Sequence, residues 1–184
     1  MKICVDVDGT ITDGSAVRAA IVAYAESIGI SPNLNIYNYG LSHYQMSTFL
    51  DLYITQALEN ESIRPACATT MMDWYRAGDS IYILTARDSK HHVLTATWLS
   101  KHGVPHSAIL HNSDKALISA MLAADCIIED NASNALECAS AGIATLLLDA
   151  SYNRDICDGM HLRRVYTWDD IARTVERLRY GEGL

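Results

Sequence analysis

Apolar residues follow two different spacings along this chain, and their alternation predicts the architecture. Short, mostly aliphatic runs of the kind found in buried strands cover residues 2–7, 80–84, 108–110, 126–128 and 144–148. Between these runs, apolar residues recur every three or four positions, as on one face of a helix. Strands that alternate with helices indicate a parallel sheet with helices on both faces. The predicted fold is therefore α/β, with a doubly wound parallel five-stranded sheet.

The connection between the first two strands does not fit this alternation. Its helical patterns cover residues 17–28 and 47–58, and the stretch between them is rich in Asn, Tyr and Gly. An ordinary crossover in an α/β domain is much shorter. We therefore predict a small helical cap at 14–63, inserted into a core formed by 1–13 and 64–184. The alternative is that these helices simply pack on the sheet.

Composition and charge narrow the possible partners. Of 184 residues, 49% are hydrophobic and 20% charged, and the net charge of −8 disfavours nucleic acid polymers and acidic membranes as partners. No apolar run approaches the length of a membrane span. None of the five cysteines forms a Cys-x-x-Cys pair, so reduced thiols are expected rather than a zinc site. We expect a cytoplasmic protein, because the N-terminal segment is not that of a signal peptide.

The end of the first strand carries the most distinctive chemistry. The apolar run leads directly into Asp6, Asp8, Gly9 and Thr10. In open α/β sheets the ligand crevice lies beyond the carboxyl ends of the strands. Two carboxylates directed into one site would repel, and a divalent cation such as Mg²⁺ would relieve that repulsion. The sequence therefore predicts a magnesium site here, suited to an anionic substrate.

Polar residues also follow the second strand. Thr85 stands at that strand's end, where its hydroxyl and the backbone N–H groups of the turn through Ala86 can bind a phosphate oxygen. Arg87 can reach the same anion with its planar set of donors. Further along, Lys115 begins a helix from which its ammonium could offset the carboxylate charge. A surface lysine is the alternative for this residue.

A second acidic strand end follows the fourth apolar run. Glu129 and Asp130 come directly after Cys126-Ile127-Ile128. In a parallel sheet, this end and that of the first strand meet at the same edge. Together they would supply oxygen ligands for Mg²⁺. An ordinary acidic turn is the alternative.

These four pieces, in this order, resemble the motifs of the haloacid dehalogenase-like (HAD) superfamily of phosphohydrolases. The resemblance implies that Asp6 is the nucleophile and Asp8 the general acid/base. It implies that Asp6, the backbone carbonyl of Asp8 and Asp130 bind the metal, with Glu129 as the other possible ligand. Phosphate would be bound by Thr85, Ala86, Arg87 and Lys115. Leading with Glu129, the fourth motif departs from the more usual Asp-Asp pair, so the direct metal ligand stays open.

Within the superfamily, the Leu84-Thr85-Ala86-Arg87 stretch resembles the deoxy-pyrimidine (C-type) 5′-nucleotidases and their bacterial relatives. This implies a phosphomonoesterase acting on nucleoside monophosphates through an aspartyl-phosphate. The alternatives are a phosphatase for sugar phosphates or another small metabolite, a phospho-accepting signalling module without turnover, and a dehalogenase. Asp8 counts against a dehalogenase, which needs neither a second carboxylate nor Mg²⁺.

Substrate choice is expected to come from the helical segment. Its aromatic residues could stack on a base, although such side chains more often form core. These residues are Tyr37, Tyr39, Tyr44, Phe49 and Tyr53, with Tyr39, Tyr44 and Phe49 as the substrate candidates. His91 and His92, just after the second strand, are interpreted first as helix-surface residues and second as substrate contacts.

Overall fold

The computed structural model describes residues 1–36 and 38–184, and its centre is a parallel sheet. Within the described residues the sheet has six strands, which are β1 (Lys2–Val5), β2 (Ser80–Thr85), β3 (Ala108–His111), β4 (Cys126–Glu129), β5 (Ala144–Leu148) and β6 (Leu162–Val165). They lie side by side in the order β3-β2-β1-β4-β5-β6. The described helices are α1 (Ser15–Ser27), α2 (His43–Glu59), α3 (Cys67–Arg76), α4 (His92–Lys101), α5 (Lys115–Leu122), α6 (Ala132–Ser140) and α7 (Trp168–Arg179).

Both faces of the sheet are covered, as the continuous apolar strands require. On β1, Ile3 and Val5 pack into one apolar cluster, whereas Cys4 between them packs into another on the opposite face. This is the two-residue period of a strand buried on both sides. The α/β class and the doubly wound parallel sheet are therefore confirmed.

The predicted strand count was one too low. The missed strand is β6, whose sequence Leu-Arg-Arg-Val has only two apolar residues. It lies at the edge of the sheet, next to β5. The guanidinium of its Arg164 donates to residues outside the strand, to the side chain of Asp149 at 3.0 Å and to that of Asn153 at 2.7 Å. An edge strand needs fewer apolar residues, so the pattern did not reveal it.

The position of β1 decides where the site lies. β1 pairs with β2 on one side and with β4 on the other. The chain leaves β1 in one direction and later returns to its other side, which makes this a topological switch point. Ligand crevices of open α/β sheets form at such points, beyond the carboxyl ends of the strands.

The helical segment 14–63 has an apolar cluster of its own. Helices α1 and α2 pack against each other around Ile21, Tyr24, Ala25, Leu41, Phe49, Ile54 and Leu58. The two chain segments that join it to the sheet are paired, with the Asp13 N–H donating to the Ser62 carbonyl at 2.9 Å and the Arg64 N–H to Ile11 at 2.9 Å. That the segment is a separate cap stays a prediction.

Two predictions about the whole chain can be compared with the structure. All five cysteines are free, and four of them are buried. In the described ranges 1–36 and 38–184, none of the helices combines the length and apolarity needed to cross a bilayer.

Candidate active site

Asp6 occupies the middle of the carboxyl edge of the sheet. Its N–H donates to the carbonyl of Ile128 at 3.0 Å, so the pairing of β1 with β4 extends to this residue and fixes its direction. Asp6 is 4% exposed, and its Oδ1 accepts a hydrogen bond from Lys115 Nζ at 2.5 Å. A buried carboxylate beside a buried ammonium is thus the centre of the site.

Lys115 connects Asp6 with the end of β4. It is the first residue of α5, and the Asp114 side chain caps that helix by accepting from the N–H of Leu117 at 2.9 Å. Lys115 Nζ also donates to Glu129 Oε2 at 2.6 Å. The other oxygen of Glu129 accepts from the Asn131 N–H at 3.0 Å. Both oxygens of Glu129 therefore already have strong donors from the protein.

Asp130 completes the acidic group. Its Oδ1 accepts from the Thr10 hydroxyl at 3.3 Å, and its Oδ2 accepts a very short hydrogen bond from the Tyr152 hydroxyl. Gly9 passes directly over this carboxylate with a φ of +84°, and a Cβ there would overlap with the Asp130 side chain. Only glycine combines this backbone conformation with such a close approach.

The three carboxylates form a compact donor set. Carboxylate oxygens of Asp6, Glu129 and Asp130 all lie within 4.8 Å of one another, and all three residues are buried. Burial raises the pKa of Asp6 well above its usual range, and burial together with the Glu129 charge raises that of Asp130 to about 7. Burial alone would lower the pKa of Lys115, but Asp6 and Glu129 raise it. The positive charge of Lys115 opposes the rise in the pKa of both Asp6 and Asp130.

This donor set fits a hard divalent cation. When all four groups are ionised, one ammonium among three carboxylates leaves two negative charges without a partner in the described part of the chain. Mg²⁺ prefers carboxylate oxygens and carries the compensating charge. Glu129 has one oxygen on the ammonium of Lys115 and the other at the start of α6, whereas the oxygens of Asp130 accept from the neutral hydroxyls of Thr10 and Tyr152. A cation beside Asp130 therefore meets less positive charge, so Asp130 is better placed than Glu129 to bind it together with Asp6.

Asp8 lies in a different environment from Asp6. Its side chain is 43% exposed, and its oxygens accept from Arg87 Nη2 at 2.7 Å and Nε at 2.8 Å. Arg87 is itself held by the hydroxyl of Thr95 at 3.0 Å from Nη1. The structure thus places the guanidinium on Asp8. A direct phosphate contact of Arg87 stays a prediction.

Thr85 ends β2 next to the end of β1. It is fully buried, and its hydroxyl accepts from the Arg87 N–H at 3.2 Å. Its carbonyl accepts from the N–H of Asn112 at 2.9 Å, which ties the turn after β2 to the end of β3. Ala86 is exposed in that turn. Thr85, Ala86 and Arg87 therefore form the turn at the end of β2, the strand that pairs with β1 on the side away from β4.

The predicted aromatic contacts have three different positions. Phe49 is fully buried between α1 and α2, and Tyr44 is 80% exposed in the first turn of α2. Tyr39 is half-buried, with burial as the main cause of its raised pKa, to which the nearby charges of Asp130 and Glu61 add. Tyr39 packs against the apolar cluster of the helical segment. Tyr37 lies outside the described residues.

Several groups around the site were not predicted from the sequence. Tyr152 comes from the loop after β5, and no local pattern marks it. Arg64, after the helical segment, donates from Nε to the carbonyl of Gly9 at 2.9 Å. Glu61 is 3% exposed, and its Oε1 accepts from the Val17 N–H at 2.6 Å in the first turn of α1. For Glu61, the sequence offered one indication of a structural role, which is its position close to Pro65 and to the predicted domain boundary.

Comparison of the structure with solved structures identifies the fold. A predicted phosphatase from Clostridium acetobutylicum matches with a TM-score of 0.73 and 12% identity, covering 96% of this chain and 98% of that one. A HAD family hydrolase from Deinococcus radiodurans, solved with bound phosphate and sodium, matches with a TM-score of 0.69 and 13% identity over 99% and 96% of the two chains. The chain has a HAD-like fold. The resemblance seen in the sequence is thereby confirmed for the fold.

At the level of sequence, one curated relative of this chain is informative. A nucleotidase of Clostridium acetobutylicum is 29% identical over 183 residues, which is 97% of this chain and 95% of the relative. No protein-family model matches the chain. The similarity thus extends over the core and the helical segment together, and is not limited to the strand ends.

Proposed function

We propose that this protein is a Mg²⁺-dependent phosphomonoester hydrolase that acts through an aspartyl-phosphate on Asp6. The observation that carries the proposal is the contact of Lys115 Nζ with Asp6 and Glu129, at 2.5 and 2.6 Å, beside the buried carboxylate of Asp130. Neither packing nor stability requires this much buried charge at one strand edge, because burying ion pairs is costly. A site that binds a cation and an anion together accounts for it.

In the first step, a carboxylate oxygen of Asp6 attacks phosphorus and the ester P–O bond breaks. The side chain is held by the end of β1 and by Lys115 in a single direction, which favours in-line attack. The departing alkoxide takes a proton from the carboxyl group of Asp8. Asp8 is more exposed than Asp6 and lies two residues further along, where a leaving group can enter.

In the second step, water attacks the phosphoryl group and gives a proton to the Asp8 carboxylate. This releases inorganic phosphate and restores the Asp6 carboxylate, so one group serves first as acid and then as base. Arg87 holds Asp8 with two hydrogen bonds, and each carboxylate oxygen keeps a further lone pair for the proton transfer. Arg87 therefore orients the acid/base.

Three ligands would hold Mg²⁺: the carboxylates of Asp6 and Asp130 and the backbone carbonyl of Asp8. The bound ion supplies positive charge that orients a phosphate oxygen and stabilises the charge of the transition state. Thr85, the N–H groups of the turn through Ala86, and Lys115 would bind the remaining phosphate oxygens. Electrostatic stabilisation of this kind is the main task in phosphoryl transfer.

The proposed substrate class is the nucleoside 5′-monophosphates. The observation that supports it is the curated relative, which is named a nucleotidase and is similar over 97% of this chain. Tyr39, half-buried in the helical segment, is our candidate for an aromatic ring that stacks on the base. Sugar phosphates and other small metabolites are the competing class for the same chemistry.

The test is hydrolysis of a phosphomonoester panel by the purified protein, with Mg²⁺ and then with excess chelator. We expect phosphate release that stops on chelation, with nucleoside monophosphates above sugar phosphates. Asp130→Asn should require a much higher Mg²⁺ concentration for the same activity. The control is Asp125→Asn, at the amino end of β4 and so away from the site, and it should behave as wild type.

Three outcomes would count against parts of this proposal. Preference for sugar phosphates would overturn the nucleotidase assignment alone. Activity that survives chelation would overturn the role of Mg²⁺. A phosphoaspartate that persists without turnover would favour a signalling module instead.

A further inference from the structure

Two imidazole rings meet at the carboxyl edge of the sheet, outside the carboxylate site. His92 begins α4 and His111 ends β3. The Nδ1 of His92 lies 3.1 Å from the Nε2 of His111, and the ring planes are inclined by 58°. Nothing in the proposed hydrolysis uses either ring.

The orientation of His111 is fixed by the backbone. Its Nδ1 lies 3.0 Å from the carbonyl oxygen of Arg87, which can only accept, so Nδ1 carries the proton and donates. In the neutral ring the lone pair is then on Nε2, the atom that faces His92. An imidazole that donates one N–H to a carbonyl and presents its other nitrogen outward has the arrangement typical of a metal-ligating histidine.

The spacing of the two rings agrees with a shared ion. Nitrogens that ligate one Zn²⁺ at about 2.0–2.1 Å, with angles between about 90° and 109°, lie about 2.9–3.4 Å apart. The observed separation of 3.1 Å falls in this range. His92 is exposed, so an ion can enter from solvent without any movement of the fold.

We propose that His92 and His111 form a binding site for a divalent transition-metal ion of the Zn²⁺, Ni²⁺ and Cu²⁺ class. Imidazole ligands suit these ions, whereas the carboxylates of Asp6 and Asp130 suit Mg²⁺. The site has two protein ligands and an open side toward solvent, where water or another ligand can complete the coordination. The proposal does not rest on the proposed phosphatase activity.

The site also connects to the catalytic residues. The carbonyl that orients His111 belongs to Arg87, whose side chain holds both oxygens of Asp8. An ion on His111 would therefore strengthen the hydrogen bond that fixes the turn after β2. This gives a metal other than Mg²⁺ a direct structural path to the acid/base.

The experiment is calorimetric titration of Ni²⁺ into the full-length protein at pH 7.5, with Mg²⁺ saturating the carboxylate site. Wild type should bind one Ni²⁺. His92→Ala and His111→Ala should each bind Ni²⁺ at least about tenfold more weakly, since losing even a residue that only hydrogen-bonds to a metal ligand lowers metal affinity by about tenfold. His161→Ala removes one imidazole near the start of β5, at the opposite edge of the sheet, and should bind as wild type.

Cu²⁺ electron paramagnetic resonance adds a readout that folding defects do not mimic. Wild type should show superhyperfine coupling to two imidazole nitrogens, and the exposed His92→Ala variant, which leaves His111 in place, should show one. Unchanged Ni²⁺ affinity in both variants, or no Ni²⁺ binding by wild type, would overturn the proposal and leave the two rings as a simple hydrogen-bonded pair.

Discussion

The carboxyl edge of the sheet and the helical segment 14–63 are built in different ways. At the sheet edge, strand pairing fixes the backbone and buried charges face one another, as with Lys115 between Asp6 and Glu129. The helical segment instead buries apolar side chains, such as Phe49 beside Tyr24, around a cluster of its own. Strand pairing thus holds the charged side chains in fixed positions, whereas the helical segment is held together by its own apolar packing, and we predict that this segment selects the substrate.

Replacing Lys115 by methionine should have the largest effect on the sheet edge. The change leaves Asp6 and Glu129 facing each other without a counter-charge, and breaking a buried ion pair in this way costs about 3–5 kcal/mol. Urea denaturation at neutral pH should show this loss of unfolding free energy, together with loss of phosphatase activity. The control is Lys90→Met, since Lys90 Nζ lies 3.7 Å from Asp51 in a largely exposed pair that contributes about 0–1 kcal/mol. Equal stability of the two variants would mean that the buried pair is not formed.

Replacing Phe49 by alanine tests whether the helical segment is a separate unit. Removing a fully buried phenylalanine costs about 3–5 kcal/mol. If 14–63 is a cap, hydrogen exchange should quicken in α1 and α2 while the amides of β1, β2 and β4 keep their protection. Tyr44→Ala, at an exposed ring, is the control and should change stability by about 0.5 kcal/mol or less. Equal loss of protection in the sheet would contradict the predicted boundary.

Glu61 lies at the junction of the two regions, and its titration should give the smallest effect. Burial raises the pKa of Glu61 to about 7, with the charges of Asp13 and Asp8 adding to the shift. The folded protein thus binds this proton more tightly than the unfolded chain, in which a glutamate titrates near pH 4.3. Its contribution is therefore present at low pH and is lost as pH rises toward 7.

The measurement is the melting temperature of wild type relative to Glu61→Gln between pH 5 and 8. The melting temperature of wild type should fall by a few degrees relative to that of the variant as pH rises. A change of about 1 kcal/mol in unfolding free energy corresponds to about 2–4 °C in a domain of this size. Glu59→Gln, on the exposed end of α2, should show no such trend. A difference that does not depend on pH would show that Glu61 keeps one protonation state.

The fold was predictable because its signals are local. Apolar runs gave every strand but β6, and the glycines after α4 and α6 marked helix ends. The neighbourhood of Asp6 and Asp130 followed from parallel pairing alone, since adjacent strands end at one edge. A sequence pattern carries this information because β1 and β4 are both buried on two faces.

The rest depends on tertiary contacts that no spacing encodes. Tyr152 meets Asp130 only because the loop after β5 folds back over the edge of the sheet. The hydrogen bonds of Arg87 to Asp8 depend on how closely the ends of β1 and β2 approach each other, which a sequence pattern does not specify. Strand β6 was not predicted for the same reason, because the hydrogen-bond partners of its Arg164 lie outside the strand.

The most direct test of the proposed mechanism is the phosphatase activity of Asp6→Asn with Mg²⁺ present. Asparagine keeps the size of the side chain but cannot form the acyl phosphate, so activity should fall to background while the circular dichroism spectrum stays that of the folded protein. Asp169→Asn, on the exposed surface of α7, should keep full activity. An active Asp6→Asn protein would contradict the assignment of Asp6 as the nucleophile.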